Sequence, residues 1–234
     1  MNNYYSNLKH DLRTFISNYE WGIYFFKIIP ENRELVVEAT TDIVIEGYPR
    51  SANTFSVVAF QLAQPGVVKI AHHLHASGQI LRAKSFGIPA VLLIREPLEA
   101  IVSLKIRHPE LQVQKCLRDY LSFYSSLKHI KSYPVIADFK SVTEDFGSVI
   151  NRVNERFGTE FYLFNNSEEA VTEVFSKIDS IRLSARRSLS QIAMPSLEKE
   201  ERKRLVKESI LQELDDEGLE EAYELYKIFI EGME

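Results

Sequence analysis

Short apolar runs alternate with helical patterns through most of the chain. Strands are expected over 43–47 (Ile-Val-Ile-Glu-Gly), 67–71, 89–94 and 133–138. Between them, apolar residues recur at three- and four-residue spacing. Phe55, Val58, Ala59 and Leu62 mark a helix over 53–63, and similar patterns cover 77–85, 97–106, 110–131 and 143–157. Gln64-Pro65-Gly66 breaks the first of these helices. Gly87 and Gly158 stand where helices close, and Pro97 suits a first helical turn. The run Pro89 to Ile94 is apolar throughout, as in a strand buried on both faces.

The flanks are helical in pattern. Leu8, Leu12, Phe15 and Ile16 form one apolar stripe, and the aromatic segment 21–29 can be read either way. From Ser167 onward helix prevails, with the dense mixed charge of 197–231 read as a solvated helix face. Four strands alternating with helices predict an α/β fold, a three-layer parallel β-sheet flanked by helices. No repeat or linker divides the chain, so a single domain over 1–234 is expected, with its core at about 42–160 and a helical C-terminal part at about 165–234.

In such sheets ligands gather at the carboxyl ends of the strands. The polar clusters 48–54, 72–75, 95–103 and 138 all fall at such ends. The first is the most telling. Gly47-Tyr48-Pro49-Arg50-Ser51-Ala52-Asn53-Thr54 follows a strand and opens a helix, the geometry that turns backbone N–H groups toward an anion. Set against the phosphate-loop pattern G-x-x-x-x-G-K-[ST], Ala52 replaces the second glycine and Asn53 the lysine, while positive charge sits inside the loop at Arg50. An ordinary turn with Thr54 as helix cap is the simpler alternative.

Arg95 ends a strand, and Ser103 lies eight residues on, so both can serve one phosphate over the helix start; Arg95 can equally pair with Glu96 or Glu99. The cluster His72-His73-Leu74-His75 lacks metal-site spacing, because adjacent strand residues point to opposite faces. A general base is the better chemical reading, with a structural histidine as its rival. Asp138 stands where triphosphate enzymes hold Mg²⁺, but without a loop lysine a helix cap or internal ion pair is favoured.

A net charge of -5 argues against a nucleic-acid or membrane-surface binder while leaving room for a basic pocket. Cys116 is the only cysteine, which excludes an internal disulfide and fits a reducing compartment; it reads as a semi-buried structural residue. The N-terminus has no signal-peptide pattern, and no stretch approaches the roughly 18 apolar residues of a membrane span, so a cytoplasmic location is expected.

Taken together, these motifs resemble those of sulfotransferases that use 3′-phosphoadenosine 5′-phosphosulfate (PAPS). Tyr48 through Phe55 is similar to that family's 5′-phosphosulfate loop, commonly Y-P-K-S-G-T-T-W. Arg95 through Ser103 is similar to its 3′-phosphate motif, Lys69 through Leu74 to its base-bearing K-T-H-L segment, and Val135 through Lys140 to its Y-E-D-L strand. The likeness covers roughly 42–160 and looks closest to bacterial members. Arg50 replaces the loop lysine, Ala52 a glycine, Phe55 a tryptophan and Ala137 a tyrosine.

The resemblance implies a P-loop nucleoside-triphosphate-hydrolase-like sulfotransferase fold, with PAPS as donor and no metal. Pro49, Arg50, Ser51, Ala52, Asn53, Thr54, Phe55, Arg95 and Ser103 would contact the donor. Arg186 and Arg187 are the nearest substitute for the family's closing R-K-G motif. Alignment of His-Leu with His-Leu selects His73 as base, with His72 as its neighbour to test. The acceptor would be a small-molecule or carbohydrate hydroxyl or amine; nucleic acid and membrane are not expected as partners, and a homodimer is open. Tyr4, Tyr5, Trp21, Tyr24 and Phe25 could line an acceptor pocket, with a core role favoured. The competing functions are a nucleotide kinase or NTPase of similar fold and a non-catalytic relative.

Overall fold

The computed structural model describes residues 12–184 and 197–231. Four parallel strands, β1 (Ile43–Gly47), β2 (Ile70–His72), β3 (Ala90–Ile94) and β4 (Val135–Asp138), lie in the order β2-β1-β3-β4. Helices α1 (Asn53–Ala63), α2 (Gly78–Phe86) and α3 (Pro97–Arg107) follow the first three strands. Then come α4 (Val113–Ser125) before β4, and α5 (Phe139–Glu144), α6 (Phe146–Phe157), α7 (Glu168–Ser184), α8 (Leu197–Glu213) and α9 (Asp216–Ile230) after it.

Strand alternation divides the apolar residues into two layers. Ile43, Ile45, Val91, Leu93 and Val135 pack with α1, α6 and α7 on one side of the sheet. Val44, Leu92, Ile94 and Ile136 pack with α2, α3, α4 and the C-terminal helices on the other. This is the expected three-layer α/β arrangement. Among the described residues, no helix is long and apolar enough to cross a membrane.

Several boundaries differ from the pattern reading. The second strand is Ile70–His72, not 67–71, because Val67 stands fully in solvent and the ladder with β1 begins only at Ile70. The span 110–131 divides into α4 and a short 3₁₀ turn, Lys128–Ile130. The single helix 143–157 becomes two, because Asp138 accepts from Ser141 N (2.9 Å) and Asp145 from Ser148 N (3.1 Å), so each aspartate caps its own helix.

Residues 12–17 are helical, and a single helical turn, Ile23–Phe26, follows. Only Ile23 and Phe26 of that turn enter the core. The core role favoured for Trp21, Tyr24 and Phe25 is overturned: all three are about half exposed, at 51%, 54% and 53%. A single turn has one inward face, and the Gly22 backbone already sits against Ile16. Tyr4 and Tyr5 lie outside the described residues.

The strand order locates the site. From β1 the chain goes out to β2, returns across to β3 and continues away to β4. The connections after β1 and β3 therefore diverge, and the carboxyl ends of these two strands are where sheets of this kind collect ligands.

Candidate active site

Gly47 lets β1 approach β3 closely, since a Cβ there would stand 2.4 Å from Leu93 O. Tyr48 follows into the core and donates its hydroxyl to Cys116 O at 2.9 Å. Burial pushes the Cys116 thiol up to about 11, which leaves it protonated and inert. Beyond Tyr48 the backbone is unusual. Arg50 (φ 72°) and Ala52 (φ 65°) are both left-handed, a conformation that costs a non-glycine residue about 1–2 kcal/mol. With Ser51 between them, the loop has the alternation of an anion-binding nest. Helix α1 has no side-chain cap, so the N–H groups of its first turn have no partner within the helix.

Each loop side chain has a distinct place. The Ala52 methyl packs against the apolar layer around Phe55, and Pro49 is half-buried. Phe55 lies in that same layer, with Phe146, Phe164 and Phe175 at ring distances of 6.5, 6.2 and 5.8 Å. Asn53 is buried and donates Nδ2 to Tyr48 O (3.0 Å), bracing the loop where a phosphate-binding lysine would extend. Ser51 Oγ and Asn53 Oδ1 are buried without hydrogen-bond partners. The Tyr124 phenol lies beside Ser51 but gives its own proton to Leu93 O at 2.9 Å.

The two anion motifs meet. Arg50 Nε donates to Ser103 Oγ at 3.0 Å, and Arg95 Nη1 donates to Arg50 O at 3.0 Å. Arg95 is fixed from two further sides: its guanidinium lies 4.0 Å from the centre of the Phe139 ring, and its carbonyl accepts from Tyr120 OH at 2.8 Å. Glu99, one turn before Ser103, lies 3.6 Å from Arg95 and pairs with Lys203 (2.6 Å) and Lys207 (3.0 Å) of α8. The Arg95–Glu99 pair is the local alternative that spacing allowed, whereas the two lysines of α8 were invisible in the sequence. Arg186 and Arg187 lie outside the described residues.

The histidines occupy the other flank. Strand geometry would send the His72 and His73 rings to opposite faces, yet their Nδ1 atoms are 2.6 Å apart. The strand ends at His72, and His73 turns left-handed (φ 58°), which swings its ring back. His73 Nε2 then lies 3.0 Å from Thr54 Oγ1. His75 (φ 51°) donates Nδ1–H to Gly47 O at 2.8 Å. Burial, with His75 adding to it, lowers His72 to about 4, and burial lowers His75 to about 4, so both rings are neutral at pH 7. Lys69, at the far end of β2, pairs with Glu38 at 3.0 Å and donates to Thr40 at 2.8 Å.

Sequence reading missed Glu46. It is fully buried in β1, and its oxygens accept Gly47 N and Leu74 N, each at 3.1 Å. Burial pushes this carboxyl up to about 8. The signal was present as the only charged residue in a strand otherwise suited to burial on both faces. No family model, curated protein or solved structure matches the chain.

Proposed function

We propose that this protein is a PAPS-dependent sulfotransferase acting on a hydroxyl or amine. The carrying observation is the loop's redistribution of charge. Asn53 turns back to brace Tyr48, while Arg50, joined to Ser103 and gripped by Arg95, places two guanidinium groups beside the uncapped start of α1. That set suits a ligand with two separated anionic groups better than the β,γ-phosphates and Mg²⁺ of a triphosphate.

Each residue then has a task. The N–H groups of the loop and Thr54 hold the 5′-phosphate, and Arg95 with Ser103 holds the 3′-phosphate, which sets the donor's register. His72, neutral, accepts His73 Nδ1–H, and this tautomer leaves Nε2 basic. His73 Nε2 takes the acceptor's proton as the acceptor oxygen or nitrogen bonds to sulfur. The bridging S–O bond breaks, and its electron pair departs on the 5′-phosphate. Arg50 stabilises the charge growing there, acting electrostatically because a guanidinium does not release its proton at neutral pH. PAPS itself supplies the sulfuryl group and a stable phosphate leaving group.

Adenosine 3′,5′-bisphosphate at 100 times its dissociation constant should stabilise the protein by about 2.7 kcal/mol, raising Tm by roughly 5–10 °C. ATP with Mg²⁺ should do far less. The opposite ranking, with triphosphate turnover, would replace this reading with the NTPase one.

A further inference from the structure

The β1–β2 ladder ends at Ile45 and His72. One residue further along, where His73 leaves the strand, no backbone pairing joins the two chains, and the Glu46 side chain takes over. Oε1 accepts Gly47 N–H at the start of the anion loop, and Oε2 accepts Leu74 N–H at the centre of the histidine turn, each at 3.1 Å. Leu74 lies between the two left-handed histidines, and His75 Nδ1 is 3.8 Å from Glu46 Oε1. An apolar residue at 46 would suit the strand equally well but would leave the Leu74 N–H buried and unpaired.

We propose that Glu46 is a positioning residue of the site: its carboxyl group fastens the histidine turn to the anion loop and so holds His73 against Thr54. The inference rests on the reading of His73 as base. A buried carboxyl group is costly unless it is hydrogen-bonded, and here the compensation comes from two backbone donors on two different site segments. The same carboxyl group buried elsewhere in the strand would bridge nothing functional.

Glu46→Gln preserves shape but turns one acceptor into a donor facing a backbone N–H. Long-range ¹H–¹⁵N spectra of the imidazoles, recorded with and without adenosine 3′,5′-bisphosphate, read the effect. In the folded variant the His73 ring signals should shift and sharpen toward those of a mobile imidazole. Hydrolysis of PAPS, with water standing in for the acceptor, should fall about 100-fold in kcat while KM changes little. A folded variant with unchanged His73 signals overturns the proposal, whatever its melting temperature. Should Glu46→Gln not fold, the same spectra decide the matter in Glu46→Asp. If neither folds while His73→Ala does, Glu46 is structural only and the proposal fails. Absence of bisphosphate binding by the wild type would instead sink the sulfotransferase reading, and the His73 spectra would still report on Glu46.

Discussion

The Thr54 hydroxyl lies 3.0 Å from His73 Nε2, so the first turn of the helix that would seat an anion touches the ring that would take a proton. Thr54 has one proton and two acceptors competing for it, His73 and a bound phosphate. Thr54→Val, close in shape, should weaken adenosine 3′,5′-bisphosphate about tenfold, the cost of one hydrogen bond to a charged group. Thr54→Ser should bind as the wild type does. Calorimetric titration measures both, and equal affinity in the valine variant would remove Thr54 from the donor site.

Arg50 offers a planar fork whose Nε is already directed to Ser103. Arg50→Lys keeps charge but not the fork, and should lose about tenfold in bisphosphate affinity; Arg50→Ala should lose about 100-fold. The wild-type affinity should also fall with added salt more steeply than that of Arg50→Ala. Parallel salt curves would show that Arg50 makes no contact with the ligand.

Ala52 occupies a left-handed conformation that glycine adopts freely. Ala52→Gly should therefore stabilise the fold by about 1 kcal/mol, visible as a rise of roughly 2–4 °C in Tm. The methyl's packing against the Phe55 layer opposes this gain. A lower Tm would mean that packing outweighs backbone strain.

One buried carboxyl and two partly buried histidines give stability a definite pH dependence. Glu46 rises from 4.5 to about 8 in the folded protein, so the native state holds a proton that the unfolded chain releases, and stability falls as pH rises between those values. His72 and His75 fall from 6.5 to about 4, so the unfolded chain binds the extra protons, and stability rises with pH across that window. The two histidines outweigh one carboxyl below pH 6.5, and Glu46 acts alone above it. Urea unfolding should show a maximum near pH 6.5 and a decline of about 2 kcal/mol by pH 8. Glu46→Gln should abolish the decline, and a flat wild-type profile from pH 6.5 to 8 would contradict the buried, protonatable carboxyl.

Much of this protein was legible in one dimension. The runs at 43–47 and 89–94 announced doubly buried parallel strands, since a strand covered on both faces has no polar side to display. Gly87 and Gly158, both left-handed, closed helices where local backbone sterics demanded it. The meeting of the 48–54 and 95–103 clusters was foreshadowed, because residues at the carboxyl ends of parallel strands share one edge of the sheet, but the pairing of Arg50 with Ser103 was not.

Tertiary structure decided what side-chain direction and burial control. Strand alternation separated His72 from His73 on paper, but the turn at His73 brought their rings together. Asn53 reads as a polar loop residue; only the Tyr48 carbonyl above it makes it a brace. Glu99 pairs with Arg95 one helical turn away, as local spacing allowed, but it also gathers Lys203 and Lys207 from about 100 residues further along the chain, a proximity that no local pattern encodes. Glu46 is the sharpest case. Its identity was plain in the sequence, but the groups it accepts from are backbone N–H groups, which every residue except proline carries, so only the fold could specify which two it binds.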